Sequence, residues 1–293
     1  MVNLASDWGT NIALGTGIGS LQAIQAAQFY LDIKNAYPGA NITFTGHSLG
    51  GGLASIMAVW FDRPAVVFDA APFELGALNV AQILPFIGQD AALAQFQVLP
   101  IPTLQLREHQ VTDYAVKGEA LESIRFIPTV IEGTNIPIFA GGSNQVGAID
   151  LHSMNLLAAL MISPQLKRDT DLLPNLLKLF FDPTAHGYDP NTGNRDFKAF
   201  LLNDQVAKGY DDPDGLLNRF AADLERMAAG ALDRTTPDVD LVTRLAIDYY
   251  YRMENGFTGV DLFTRTVGGA QFDLAKFNCA PVRHHDLLGR KGA

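Results

Sequence analysis

The chain is poor in cysteine, in basic charge and in long apolar runs. One cysteine in 293 residues excludes a disulfide framework and a thiolate metal cluster. Lys and Arg total 21 against 31 Asp and Glu, for a net charge of −10. Nucleic acid and anionic membrane surfaces both demand a basic face, so neither is expected as a partner. No apolar run long enough to span a bilayer is free of charged or turn-forming residues. The opening stretch MVNLASDWGTN has neither a basic n-region nor an apolar h-region, so no secretory signal is legible. Location stays open between the cytoplasm and export by a leaderless route. Charged residues are 18% and apolar residues 48%, which excludes disorder, collagen and coiled coil. What remains is a globular chain able to bury a substantial core.

Charge is also scarce locally. Residues 1–163 hold 5 Lys/Arg and 12 Asp/Glu, whereas residues 164–293 hold 16 and 19. The first region therefore reads as a mostly buried sheet-and-helix body, and the second as amphipathic helices with solvated faces. The expected division is 1–163 and 164–293, at Ser163-Pro164, since proline disfavours a helical residue before it. In the first region the order is a helix from Ser20 to Tyr37, a β-rich run Asn41–Gly46, an apolar helix Leu53–Phe61, and strands Ala65–Phe68 and Val111–Val116. Alternating helices and strands imply a parallel sheet flanked by helices, an α/β fold. In the second region, helix-spaced apolar residues mark Leu172–Phe181, Asp196–Ala207, Leu216–Ala229 and Asp238–Glu254.

The stretch Gly46-His47-Ser48-Leu49-Gly50 matches G-x-S-x-G between a β-rich run and an apolar helix, the setting of a nucleophile elbow. So tight a turn leaves no room for side chains two residues before and after the serine, a demand Gly46 and Gly50 are expected to meet. A serine hydroxyl needs a base to take its proton, and on this fold the partners follow in the order Ser, acid, His. Of six histidines, His47 lies within the elbow, His109 precedes the acid loop, and His284 and His285 lie near the C-terminus. His152, before an apolar helix at Asn155–Met161, is preferred as base over His186 in the second region. The acid is expected past a later strand. Glu119, after Gly118 at the end of Val111–Val116, is preferred, with Asp113 inside the strand as the alternative. Either carboxylate could hold the imidazole tautomer and balance its charge. The backbone N–H of Leu49, at a helix start, is the expected oxyanion donor.

Residues Ile42 to Ala54, which contain the elbow, resemble the core of the class 3 (fungal-type) lipase family of α/β-hydrolases. Asp7-Trp8 resembles the Asp-Trp that follows the family's Arg-Gly-Thr/Ser oxyanion strand, and Ala65 to Pro72 its next strand and turn. Lys117 to Leu121 resembles its acid loop, with Glu for Asp, and His152-Ser153 its His-Ser. The resemblance covers roughly residues 6–160. It implies an α/β-hydrolase fold and a serine hydrolase for carboxylic esters, most plausibly acyl lipids or other hydrophobic esters, with Ser48, His152 and Glu119 as triad. It implies no metal and no cofactor, and allows contact with a lipid interface. The family's upstream strand and Arg-Gly-Thr/Ser are not found here. Asn41–Gly46 is therefore expected to keep an unpaired edge, at about 1–3 kcal/mol per buried orphan, unless the chain starts late or another segment covers it. Losing one oxyanion donor typically costs about 10²–10³ in rate, so weak activity is expected. The alternative is an inactive hydrolase-fold interaction module of a larger protein.

The other features read plainly. Gly15 to Ser20 lacks dinucleotide-loop spacing. Asp189–Asn194 and Asp211–Gly215 read as turns rather than calcium loops, and Tyr249–Tyr251 as packing. Ile83–Ile87 and Phe126–Phe139 read as core or crossover, with a lid or acyl-binding wall as the other option. Chain-length preference and oligomeric state are not legible.

Overall fold

The computed structural model describes residues 21–79, 89–94, 100–125, 133–172, 176–181, 197–230, 265–267 and 270–272. Asp7-Trp8, Gly15–Ser20, Ile83–Ile87, His186, Asp189–Asn194, the helix expected at Asp238–Glu254, His284 and His285 lie outside the described residues. Two compact units divide the chain: Met1–Phe139 with Ala148–Leu157, and Ala140–Gly147 with Ala158–Ala293.

The first unit is an α/β-hydrolase-like fold, built on a four-stranded parallel sheet in the order β1 (Phe44–His47), β2 (Ala65–Phe68), β3 (Val111–Val116), β4 (Thr134–Ile138). In β2 and β3 the inward positions Ala65, Val67, Val111, Ala115 and Val116 are small or β-branched and buried, as a sheet covered by helices requires. Pro137 in β4 cannot donate to a ladder. Among the described residues β4 pairs only with β3, the edge position where proline is tolerated. At the other edge β1 pairs only with β2 among the described residues.

Helix α1 (residues 21–36) sends Ala23, Ala27, Tyr30 and Leu31 into the core. After β1 the chain enters α2 (Leu49–Phe61), buried from Gly51 to Phe61 with only Leu53 partly exposed. A helix so apolar all round must sit at the centre of its unit. Burying Met57, Trp60 and Phe61 contributes about 1.5–3 kcal/mol each. Trp60 satisfies its indole N–H on the Ala77 carbonyl at 2.9 Å. Arg107, buried at the end of α5 (Pro100–Arg107), donates to the carbonyls of Val59 and Trp60 at 3.1 and 2.8 Å. Those orphan C=O groups end α2, and a cation there also faces the negative end of the helix dipole.

In the second unit, α9 (Pro164–Leu172) begins with proline in its first turn, and Ser163 caps it through a 3.2 Å bond from the Leu166 N–H to its Oγ. Proline here opens a helix. The single helix expected over Leu172–Phe181 is instead the end of α9 and α10 (Leu176–Phe181), on either side of Pro174. Helices α11 (Phe197–Lys208) and α12 (Leu216–Gly230) follow, and α12 packs on both α9 and α11. The Asp-rich loop between them is organised by an amide. Buried Gln205 donates through Nε2 to the carbonyls of Gly209, Tyr210 and Asp212 and accepts the Asn218 N–H. A short antiparallel ribbon, Arg265–Val267 with Ala270–Phe272, departs from the all-helical expectation for this region.

Asp169 on α9 is fully buried, and neither carboxylate oxygen has a hydrogen-bond partner among the described residues. Burial, aided by the charge of Glu225, pushes its carboxyl from the ordinary 3.8 to about 8. The folded value lies above the unfolded one, so the group's contribution is complete below about pH 4 and fades as pH rises toward 8. Asp169→Asn is therefore expected to raise the melting temperature at pH 8 by about 2–4 °C or more and to change it little at pH 4. Thermal melts across that range check it.

Candidate active site

The carboxyl ends of the parallel strands collect the polar side chains, as in open α/β sheets generally. Ser48 follows β1, Asp69 follows β2, Glu119 lies three residues past β3, and His152 comes beyond β4, in the turn after α7 (Ala148–Leu151). His109 sits in a 3-10 turn before β3, at the opposite end of that strand from Glu119. His186, His284 and His285 lie outside the described residues.

Ser48 has φ 56° and ψ −125°, a backbone state costing on the order of 1–3 kcal/mol for a residue with a side chain. Three hydrogen bonds hold it there. Its N–H donates to the Phe68 carbonyl at 3.0 Å, and its carbonyl accepts the N–H groups of Ala71 and Gly52 at 2.9 and 3.1 Å. The bend is thus tied to the end of β2 as well as to its own helix. Leu49 opens α2, and no acceptor among the described residues takes its N–H.

The glycines divide by what a side chain would meet. A Cβ on Gly46 would lie 2.3 Å from the Gly50 carbonyl oxygen, whereas a Cβ on Gly50 would meet nothing within 4 Å. The expected demand for a bare residue at Gly50 is therefore corrected. The crowded positions after the serine are Gly51 and Gly52, whose Cβ atoms would fall 2.9 Å from Ala70 Cβ and 2.8 Å from the Ala71 oxygen. Gly46→Ala is expected to cost about 1–3 kcal/mol through backbone displacement. Gly50→Ala, on an exposed first turn, should be neutral or stabilising by up to about 1 kcal/mol. Denaturant unfolding of the two variants tests the contrast.

Gly118, at φ 90°, turns the chain after β3 and brings Glu119 back beneath the sheet end. Glu119 is buried. Its Oε2 lies 2.6 Å from Nδ1 of His152 and accepts the Leu121 N–H at 2.7 Å, and its Oε1 receives Nη2 of Arg125 at 2.5 Å. Since the carboxylate accepts, Nδ1 of His152 is the donor in this contact. Asp113 points elsewhere: Oδ1 accepts the Ala70 N–H at 3.2 Å, and Oδ2 lies 3.4 Å from Nε of Arg125. Burial pushes the Asp113 carboxyl up to about 6 against the pull of Arg125.

His47 bridges the elbow and His152. Its Nε2–H donates to the His152 carbonyl at 3.0 Å, and the two rings lie 4.7 Å apart between centroids. Burial, then repulsion from His152, hold its pKa below the ordinary value.

Sequence reasoning missed two residues here. Asp69 is fully buried at φ 44°, its Oδ1 accepting the Val116 N–H at 2.8 Å. Burial lifts its carboxyl to about 8, so its 3.8 Å approach to Nε2 of His47 joins two neutral groups rather than an ion pair. Arg125, ending the short α6 (Glu122–Arg125), reaches Glu119, Asp113 and the Ala70 carbonyl at once. The strand that Asp69 follows was legible; nothing in the linear pattern marked the return of Arg125.

The fold is α/β-hydrolase-like, and the comparisons with known proteins point to a lipase-like family. Residues 2–166, more than half of the chain, match the phospholipase-like family described as the Tle-like phospholipase domain, and the chain belongs to that family. It is also similar to a putative lipase atg15 from Penicillium rubens, 44% identical over 55 residues, covering 19% of this chain and 8% of that protein. A putative lipase ATG15 from Mycosarcoma maydis is 39% identical over 54 residues, covering 18% of this chain and 10% of that protein. The chain thus matches a tenth or less of these relatives' length. No solved structure matches it.

Proposed function

We propose that the chain is a serine hydrolase of carboxylic esters, with Ser48 as nucleophile, His152 as general base and acid, Glu119 as the orienting carboxylate and Leu49 N–H as one oxyanion donor. The observation that carries this reading is the buried Glu119–His152 contact at 2.6 Å, at the same end of the sheet as a strained serine in a glycine-lined elbow. His47, adjacent in sequence to Ser48, touches the His152 backbone, which supports a common site. In the proposed reaction Ser48 Oγ attacks the ester carbonyl and its proton passes to His152 Nε2. The oxyanion is held by the Leu49 N–H, and the alcohol leaves with the proton from His152. Water, deprotonated by the same imidazole, then cleaves the acyl-enzyme.

The family description favours a phospholipid or other acyl-lipid ester. The resemblance to class 3 lipases, through residues 42–54 and the Glu119 and His152 loops, favours the same chemistry. The exposed Leu49, Leu75 and Ile149 are apolar surface of the kind that meets acyl chains. The test is a p-nitrophenyl ester time course. The reading expects a stoichiometric burst and slower turnover, both absent in Ser48→Ala; unaltered turnover in that variant refutes it.

A further inference from the structure

One group of side chains at the site extends beyond the reaction just described. His47, Asp69 and His152 each offer one ligating atom, and the three atoms lie within 4.8 Å of one another. Asp69 is fully buried and its Oδ2 has no hydrogen-bond partner among the described residues, although that oxygen lies 3.8 Å from His47 Nε2. Burial keeps a proton on this carboxyl, and a divalent cation bound at Oδ2 would take that proton's place, since a ligating carboxylate must be deprotonated. The cationic-capable group within 4.0 Å of that oxygen, among the described residues, is the His47 imidazole, a metal-ligating nitrogen, while Arg125 acts on Asp69 from farther away.

We propose that His47, Asp69 and His152 form an inhibitory site for a zinc-class divalent cation. Two imidazole nitrogens and one carboxylate oxygen are a zinc donor set, whereas calcium and magnesium seek oxygen alone. Bonds of about 2.0–2.2 Å place neighbouring ligands roughly 3.3–3.5 Å apart in a tetrahedral site. The His47–Asp69 spacing of 3.8 Å is near that, and no pair among the three ligating atoms is wider than 4.8 Å. The ion takes the place of the proton that His47 Nε2 gives the His152 carbonyl. Glu119, holding Nδ1–H of His152, supplies the outer partner that a ligating imidazole requires. Occupancy engages the imidazole assigned above as the base, so ester hydrolysis stops while the Ser48 bend is untouched. The inhibitory consequence rests on the proposed function; the site itself does not.

The test uses the full chain, freed of metal by a chelator, and titrates it with Co²⁺ while visible absorption reports the coordination. One equivalent is expected to bind at micromolar concentration with the intense bands of a four-coordinate ion, and Zn²⁺ is expected to displace it. Asp69→Asn and His47→Gln should each weaken uptake by roughly 100-fold, and Asp169→Asn, in the other unit, should leave it intact. Zn²⁺ should lower ester turnover about tenfold or more and a chelator should restore it. Wild-type protein that takes up no Co²⁺, or uptake unchanged in both site variants, overturns the proposal, and the wild-type result does not depend on how the variants fold. Absorption is read without substrate. A chain that binds Co²⁺ through these residues but cleaves no ester therefore upholds the site and refutes the hydrolase. An active chain indifferent to both metals does the reverse.

Discussion

Ser48→Ala and His152→Gln are each expected to lower kcat on a water-soluble ester by about 10⁴–10⁶, and the double variant no further. The non-additivity is the informative part. Once the serine cannot attack, the imidazole has no proton to receive, so its removal costs nothing more. Glu119→Gln separates position from charge. The amide is the same size, yet it no longer enforces the Nδ1–H tautomer on His152 and it sets an N–H against Leu121 or Arg125, both of which now donate to the carboxylate. A loss of about 10⁴ is expected, as when the corresponding acid of a serine triad becomes an amide. Asp113→Asn should fall far short of that loss, because its oxygens meet the Ala70 N–H and Arg125 rather than His152. Steady-state kinetics on the five variants check the order, and equal losses for Glu119→Gln and Asp113→Asn would contradict it.

Arg125→Met is expected to cost about 3–5 kcal/mol of stability, the usual result of removing one partner from a buried ion pair. The guanidinium is only 11% exposed and lies against Glu119 and Asp113, which are 0% and 9% exposed at their side chains. Without it two buried carboxylates face each other and Asp69 with no counterion. Asp113, already raised to about 6, would stay protonated to higher pH. Turnover should fall too, because Glu119 then loses the contact that fixes its second oxygen. Arg125→Lys restores the charge but cannot serve Glu119, Asp113 and the Ala70 carbonyl together, so partial rescue is expected. Adding Asp113→Asn to Arg125→Met should recover part of the stability by removing one uncompensated charge. Urea unfolding of the three variants measures this, and an unchanged midpoint for Arg125→Met would remove Arg125 from the account.

Much of the first unit was legible because buried parallel strands announce themselves. Val111–Val116 has the bounds read from its β-branched run, and Ala65–Phe68 likewise. Helix α2 was read late, from Leu53, because Leu49-Gly50-Gly51-Gly52 looks like a turn. Those glycines are helical, and the close approach to Ala70 and Ala71 explains two of them. Strand β1 runs to His47 instead of stopping at Gly46, since register against β2 rather than polarity sets its end. Ser163-Pro164, read as a boundary, is locally an N-cap followed by a first-turn proline. The elbow, the acid and histidine loops and the family resemblance came from contiguous motifs. Asp69 and Arg125 act across the fold, through contacts 47 and 55 positions apart in the chain, and no local pattern encodes such a return.

Fluorophosphonate labelling followed by peptide mapping bears most directly on whether Ser48 is an activated nucleophile. The account predicts one adduct per folded chain, carried by the peptide containing Ser48, and slow or no labelling after His152→Gln. A folded chain whose Ser48 stays unmodified, or equal labelling with and without the imidazole, would contradict it and favour a hydrolase fold used for interaction alone.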